Sequence, residues 1–361
     1  MHFALTETQT ELKAAARRYL SDRYPADRIA RLAAAGAGGA HHTAHDTEGW
    51  AELERQGWLD EDLGMVELAL LAEEGGRALH PAPWWPTAGL AVPVYQAARS
   101  ERPGPATLAD GTSTCRAEPV ARGARRGAGD CAGGWLLDGM VGCVVDPQVA
   151  AEILVAARTA GGVALFGVPP YGHGVALTGR AGIDPLRALA GVELTKAPAR
   201  LLVGAAEAGR LLAAIADRST VLLACEAVGV ADRALEMAVD HAKTREQFGR
   251  PIGSYQAVAH LLAESYAELE LARSLTYRAA CLLDDVRHGR VDGAGSALAC
   301  AVHAGRRAAV QVCEAAIQVC AGIGVTWEFP LHRWYRRALW IDAYAAGRPD
   351  PLTTIAEAVL G

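Results

Sequence analysis

One short stretch carries the residue types most suited to holding a charged ligand: KTREQFGRPIGSYQ, residues 243 to 256. Arg245 can present a planar fork of donors to a phosphate or a carboxylate. Gln247 and Gln256 add amide donors and acceptors on either side of a chain break, and Phe248 adds an aromatic face. Pro251 cannot continue a helix, and Gly249 and Gly253 permit backbone torsions that other residues resist. The spacing predicts that Arg245 and Phe248 share a face in the last turn of a long helix. A plainer reading stands beside the ligand-binding one: Arg245 as a partner of the helix C-terminal dipole and Phe248 as core.

The rest of the chain supplies the elements that must position this stretch. Its 361 residues are 51% apolar and 21% charged, a globular composition long enough for two or three domains. The net charge of −6 gives no sign of a nucleic-acid surface. No apolar run is expected to reach the length of a membrane span, and the N-terminal MHFALTETQTELKAAARR has no signal-peptide pattern. None of the eight cysteines forms Cys-x-x-Cys or sits at zinc-ligand spacing with a histidine, and His303 and His332 have no second ligand at i+4. The cysteines are therefore expected to be reduced and structural, and the chain cytoplasmic, without metal.

Residues 1 to 104 are expected to be helical, opened by a capping box at Thr6 and Gln9, with a helix stopped near Gly75-Gly76 and the region ended by the prolines of HPAPWWP. Residues 105 to 203 break into short apolar and β-branched runs separated by Gly and Pro, the pattern of a compact β-domain. From 204 to 361 the periodicity predicts long helices with small Ala, Cys and Gly faces, packed as an antiparallel four-helix bundle, with Ser254 as an N-cap. The fold class is thus α+β and multidomain: helical, β, helical bundle.

The segment AVGVADRALEMAVDHAKTREQFGRPIGSYQAVAHLLAE resembles the C-terminal signature of the acyl-CoA dehydrogenases, with Arg-x-x-Phe-Gly, Pro-Ile and a following Gln at the family's spacing. QVCAGIGVTWEFPLHRWYRRA resembles the family's Gln-x-x-Gly-Gly-x-Gly run, and LTETQTELKAAARRYL and LAEEGGRALHPAP resemble its opening helices. The resemblance implies an FAD-dependent flavoprotein oxidoreductase of lipid metabolism that desaturates an acyl-CoA, or another acyl thioester, at Cα–Cβ. It implies FAD contacts from Arg245, Gln247, Phe248, Gln256, Gln318, Gly322 and Gly324, with Ala321 where the family has Gly. An electron-transferring flavoprotein is the family's usual electron acceptor.

The sequence also departs from the family. At the two positions where the family places its catalytic carboxylate stand Ser219 and Ala345. Glu226, two turns beyond Ser219, is the nearest candidate base, with a buried polar contact as its alternative role; Asp217 and Asp342 are weaker candidates. CRAEPVARGARRGAGD keeps Glu118-Pro119 but loses the family's Ser, and GGWLLDGMVGCVVD has no Trp-Ile-Thr. Arg116, Arg122, Arg125 and Arg126 could meet the CoA 3′-phosphate or simply line a solvated loop. The chain's own half of the flavin site looks degraded and its donated half intact. The expectation is a subunit that pairs with a homologous acyl-CoA dehydrogenase subunit in an α2β2 heterotetramer; the alternatives are a homo-oligomeric enzyme with a displaced base, or the fold turned to another thioester reaction or a structural role.

Overall fold

The computed structural model describes residues 4–37, 46–60, 62–109, 114–119, 134–290, 294–346 and 350–360. Helices α1 (Glu7–Arg23), α2 (Ala26–Ala37), α3 (Thr47–Arg55), α4 (Met65–Arg77) and α5 (Val92–Ala98) precede seven strands. Helices α6 (Ala205–Thr244), α7 (Gln256–Arg287), α8 (Gly295–Cys320), α9 (Leu331–Ala346) and α10 (Pro351–Leu360) follow them. The order is the expected helical, β, helical. By contacts the chain divides into two compact units. One holds Met1–Arg31, Asp62–His80 and Thr220–Gly361; the other holds Leu32–Glu61 and Pro81–Ser219.

In the first unit, α1 opens on the expected capping box: Gln9 N–H donates to Thr6 Oγ1 (3.2 Å) and Thr6 N–H donates to Gln9 Oε1 (3.0 Å). Helix α4 has only Gly64 at its N-cap, so its first N–H groups are satisfied from a distance. Met65 N–H donates to the Asp284 carboxylate of α7 at 2.9 and 3.0 Å, a negative charge at a helix N-terminus. Helix α4 ends at Arg77, one residue past Gly75-Gly76, as expected. The second of these glycines also serves packing. A Cβ on Gly76 would overlap the Glu226 carbonyl of α6, and a Cβ on Gly229 of α6 would overlap the Glu73 carbonyl of α4. Gly305 of α8 repeats the device, its missing Cβ 2.8 Å from the Ala224 carbonyl. The bundle core is made of Val228, Ala231, Leu235, Leu269, Ala272, Ala308 and Val312. Burial raises the thiols of Cys225 and Cys313, and pushes Cys320 up to about 11, so these residues act as small apolar side chains. Cys225, Cys281, Cys300, Cys313 and Cys320 carry free thiols. The stretch Gly295–Val325 is long and apolar enough to cross a membrane, contrary to expectation; within the bundle α8 buries Ala301, Ala308, Ala309, Val312 and Cys313.

In the second unit the strands β1 (Ala106–Ala109), β2 (Arg116–Pro119), β3 (Trp135–Val145), β4 (Glu152–Thr159), β5 (Gly162–Val168), β6 (Val175–Arg180) and β7 (Leu189–Val203) form one sheet. The order is β1-β4-β2-β3-β7-β5; β5 also pairs with β4, and β6 adds to β7. Apart from β1–β4 and the single Arg116–Arg158 pairing, the ladders are antiparallel. Leu137, Val141, Ile153, Val155, Phe166 and Val192 fill the interior. The prolines of HPAPWWP do not end the helical region. Pro86 begins a π-helical turn through Ala91 that leads into α5, because a proline in a first turn gives up no intrahelical bond. Trp84 and Trp85 are core: their indole N–H groups donate to the Trp58 and Ser219 carbonyls, each at 3.1 Å.

Two glycine substitutions read the packing directly. Gly229→Ala is expected to cost about 3 kcal/mol or more, because backbone cannot step aside for the new methyl. Gly209→Ala, on an exposed face of α6 with nothing within 4 Å of the added Cβ, should add about 0.5–1 kcal/mol. Urea denaturation of both variants checks the pair.

Candidate functional site

Helix α6 ends at Thr244, within the stretch of interest and one residue before Arg245. Arg245 and Phe248 therefore do not share a helical turn. Glu246–Gln247 (β8) pairs antiparallel with Arg250–Pro251 (β9) in a minimal hairpin. Its turn residues Phe248 and Gly249 have φ of +53° and +76°, as a two-residue type I′ turn requires. Phe248 is 94% exposed, so the core reading is overturned. The hairpin is anchored from both sides. Ile252 N–H donates to the Arg245 carbonyl (2.8 Å) and the Tyr255 hydroxyl donates to the Gln247 carbonyl (3.0 Å). The Arg250 guanidinium lies 4.0 Å from the Tyr255 ring centroid. Gly253 sits tight against α6, its missing Cβ 3.0 Å from the Ala242 carbonyl. Ser254 does not cap α7: its hydroxyl donates to the Pro251 carbonyl (2.7 Å) and Tyr255 occupies the N-cap. Gln256 opens α7, exposed, with its amide 3.5 Å from His260 Nε2.

The second group of residues lies where α8 gives way to a 3₁₀ turn, Ala321–Val325. Gln318 is exposed in the last turn of α8, and its carbonyl accepts from Ala321 N–H. Ala321 has φ +53° and ψ −138°, a conformation that glycine adopts freely and alanine does not. Gly322 is exposed with open space where a Cβ would be, whereas Gly324 is buried against Cys320, 3.0 Å from its Cβ. The two groups approach one another through His241, near the end of α6, and Phe329, whose ring centroids are 6.2 Å apart. Burial and then the Arg245 charge hold His241 below its ordinary pKa.

The candidate bases are placed differently. Glu226 is buried in α6, and its carboxylate accepts a 2.6 Å bond from Nη1 of Arg337, which is wholly buried. Ser219 is also buried, its hydroxyl donating to the Ala216 carbonyl (3.2 Å). Ala345 lies in the last turn of α9. Asp342 accepts from Arg306 at 3.0 and 2.8 Å, and Asp217 is exposed on α6. Arg116 and Glu118 are exposed on β2, while Arg122, Arg125 and Arg126 lie outside the described residues. Among the described residues no cluster of His, Cys, Asp and Glu could hold a metal.

Two features escaped sequence reasoning. Arg337 is 111 positions from Glu226, so no spacing joins them, although Arg337 stands in the quoted WYRRA. Trp327 is 71% exposed, with the Arg336 guanidinium 5.1 Å from its ring centroid and His332 edge-on at 4.7 Å.

Replacing Glu226 with Ala should cost about 3–5 kcal/mol by stranding the Arg337 charge, and the Glu226→Leu/Arg337→Met double variant should recover most of it. A thermal-denaturation cycle measures both. Ala321→Gly should add about 1 kcal/mol by removing the strained φ, read as a shift in the urea midpoint.

Comparison with known proteins bears on the fold and the family. Residues 210–353 match the model of the acyl-CoA dehydrogenase C-terminal domain. Acyl-CoA dehydrogenase FadE34 of Mycobacterium tuberculosis is 32% identical over 335 residues, which cover 88% of this chain and 44% of that protein. FadE12 of the same organism is 29% identical over 88% of this chain and 89% of its own. The chain thus spans less than half of FadE34 and nearly all of FadE12. The ChsE4–ChsE5 complex of M. tuberculosis superposes with a TM-score of 0.83 over 100% of this chain and 99% of that one, at 24% identity. A Tcur3481–Tcur3483 steroid acyl-CoA dehydrogenase variant gives a TM-score of 0.79 over 98% and 99%, at 27% identity. Residues 210–353 thus belong to the acyl-CoA dehydrogenase C-terminal domain family, and the whole chain has the helical, β, helical fold of the acyl-CoA dehydrogenases.

Proposed function

We propose that this chain is the half-site subunit of an FAD-dependent acyl-CoA dehydrogenase. In this reading a homologous partner subunit supplies the base and most of the flavin pocket, in an α2β2 assembly with two flavins. The observation that carries the proposal is an asymmetry. The flavin-edge side chains Arg245, Gln247, Gln256 and Gln318 all stand exposed, with open space at Gly322. The positions expected for a base hold Ser219 and Ala345, and Glu226 is held by Arg337. The two structures compared above support such pairing, since each is described as two different subunits, one pair as a steroid acyl-CoA dehydrogenase. Bulky polycyclic acyl-CoA thioesters are accordingly the proposed substrate class, and an electron-transferring flavoprotein the proposed acceptor. The three-part division at residues 104 and 203 is retained as the functional one.

The donor set suits the ADP portion of FAD: one guanidinium for the pyrophosphate, amides for its flanks, and a glycine that lets the ligand approach the backbone. When bound, FAD supplies the acceptor for the hydride leaving Cβ of the thioester. Arg245 fixes the pyrophosphate and Gln256 and Gln318 orient the adenosine side, while Phe248 excludes water from the junction. Proton abstraction from Cα falls to a carboxylate of the partner.

Arg245→Ala tests the edge. In the assembled complex it should weaken FAD retention by about 5- to 150-fold, the loss of a charged contact of about 1–3 kcal/mol, without lowering the melting temperature of the flavin-free chain, because Arg245 is exposed. Glu226→Gln tests the base. Turnover per folded complex should stay within a few-fold of the parent. A loss of about 10²–10⁴ in folded complex would make Glu226 the base and the half-site reading wrong.

A further inference from the structure

The first unit holds a cavity of about 200 Å³ that none of the flavin-edge residues lines. Its walls come from the corner between α1 and α2, the end of α4, α6 and the first turn of α9. One side is apolar, built from Leu20, Tyr24, Ile29 and Trp334, all buried. The two large rings are fixed. The Trp334 indole N–H donates to the Arg77 carbonyl at 3.0 Å, and the Tyr24 ring lies 5.3 Å from the His80 ring and 5.4 Å from the Arg28 guanidinium. The other side is charged and uneven. Three guanidiniums, those of Arg17, Arg77 and Arg233, line it with one carboxylate, Glu74. Asp232 and Glu236 of α6 pair with these arginines but do not line the cavity. Arg77 gives both Nη groups to Asp232 and Glu236. Arg17 holds Glu74 through Nε and Nη2, each at 2.8 Å, and Arg233 holds Glu236 through Nη1. Nη1 of Arg17 and both Nε and Nη2 of Arg233 are therefore donors without a partner among the described residues. Both side chains are partly exposed, 44% and 37%, and Ser21, Pro25 and Ala26 form an exposed rim.

Size and charge together define the ligand. Benzene occupies a cavity of roughly 150 Å³, so this one takes a single ring with a small substituent, or an apolar body as compact. A guanidinium fork matches the plane of a carboxylate, and its spare donors are here already oriented by the pairs they belong to. Glu74 on the same wall disfavours a second negative charge on the ligand. We propose that this cavity is a binding site for a small monocarboxylate with a compact apolar body, the ring against Tyr24 and Trp334 and the carboxylate at Arg17 and Arg233. The site is separate from the flavin edge and does not depend on the half-site reading.

The full-length chain is titrated with 4-fluorobenzoate while the fluorine NMR line width is followed. The uncharged 4-fluorobenzamide serves as the comparison probe, and benzoate and acetate as competitors. Broadening by 4-fluorobenzoate should saturate with a dissociation constant of about 0.1–5 mM, the range open to a ligand of this size. Benzoate should displace the probe and acetate at the same concentration should not, while the amide should bind about tenfold more weakly. Arg233→Gln should weaken 4-fluorobenzoate binding about tenfold. Arg77 still holds Glu236 in that variant, so its thermal melt should change little. Ala26→Glu places a negative charge on the exposed rim, in the first turn of α2, where it suits the helix. It should lower the affinity for 4-fluorobenzoate a few-fold and leave that for the amide unchanged, and it decides the matter alone if Arg233→Gln unfolds. The proposal is overturned if broadening does not saturate, if acid and amide bind equally, if acetate competes as well as benzoate, or if neither folded variant alters binding.

Discussion

The first unit depends on a single close crossing, that of α4 and α6. Gly76 and Gly229 remove the two methyl groups that would hold these helices apart, so each backbone touches a carbonyl of the other. A set of buried and half-buried ion pairs lies around that contact. Glu73 and Glu74 of α4, both buried, turn toward α1 and α7: Glu73 meets Lys13 (2.9 Å), Arg273 (3.1 Å) and the Tyr277 hydroxyl, and Glu74 forms a bidentate pair with Arg17 (2.8 Å twice). Arg77, one residue past the crossing glycine, reaches Asp232 and Glu236 of α6. Glu226, at the crossing itself, pairs with Arg337 of α9. Buried carboxylates survive only when paired and hydrogen-bonded, and here the short interhelical distance brings the partners within reach.

This arrangement accounts for the pairing of Glu226, the buried candidate among the carboxylates near the expected base positions. Glu226 lies within an apolar stretch of α6, and sequence alone suits it to either a raised-pKa base or a buried contact. Its commitment to a wholly buried guanidinium favours the second role, since moving it toward a substrate would strand Arg337. The exposed residues proposed to bind the ligand have the opposite character. They sit on a hairpin and a 3₁₀ turn beyond the ends of α6 and α8, where backbone conformation, not core packing, fixes them. A rigid bundle that presents polar side chains from its loop ends is a common basis for a binding edge.

Much of the architecture was legible from local pattern. The capping box at Thr6 and Gln9, the β-branched runs between glycines and the long periodic helices each follow from short-range chemistry, and all appear where that chemistry puts them. What escaped was of two kinds. At Phe248, Ala321 and Ser254, turn geometry overrode residue preference: a bulky aromatic took a left-handed conformation, an alanine stood where glycine would be unstrained, and a serine bonded backward instead of capping. At the Gly76–Gly229 crossing and at Glu226–Arg337, the deciding neighbour was distant in sequence, so no window over the chain could contain it. The motif residues Arg245, Gln256, Gln318 and Gly322 were found by family resemblance; spacing alone left Arg245 open between a ligand contact and a helix-end charge.

The central claim is that this chain completes a flavin site it cannot form alone. The most direct measurement is flavin stoichiometry against assembly mass, taken from the visible absorbance and light scattering of the chain purified by itself and with a homologous acyl-CoA dehydrogenase subunit. The account predicts no flavin absorbance for the chain alone and two flavins per α2β2 tetramer with the partner. A flavin-saturated homotetramer of this chain alone would contradict it.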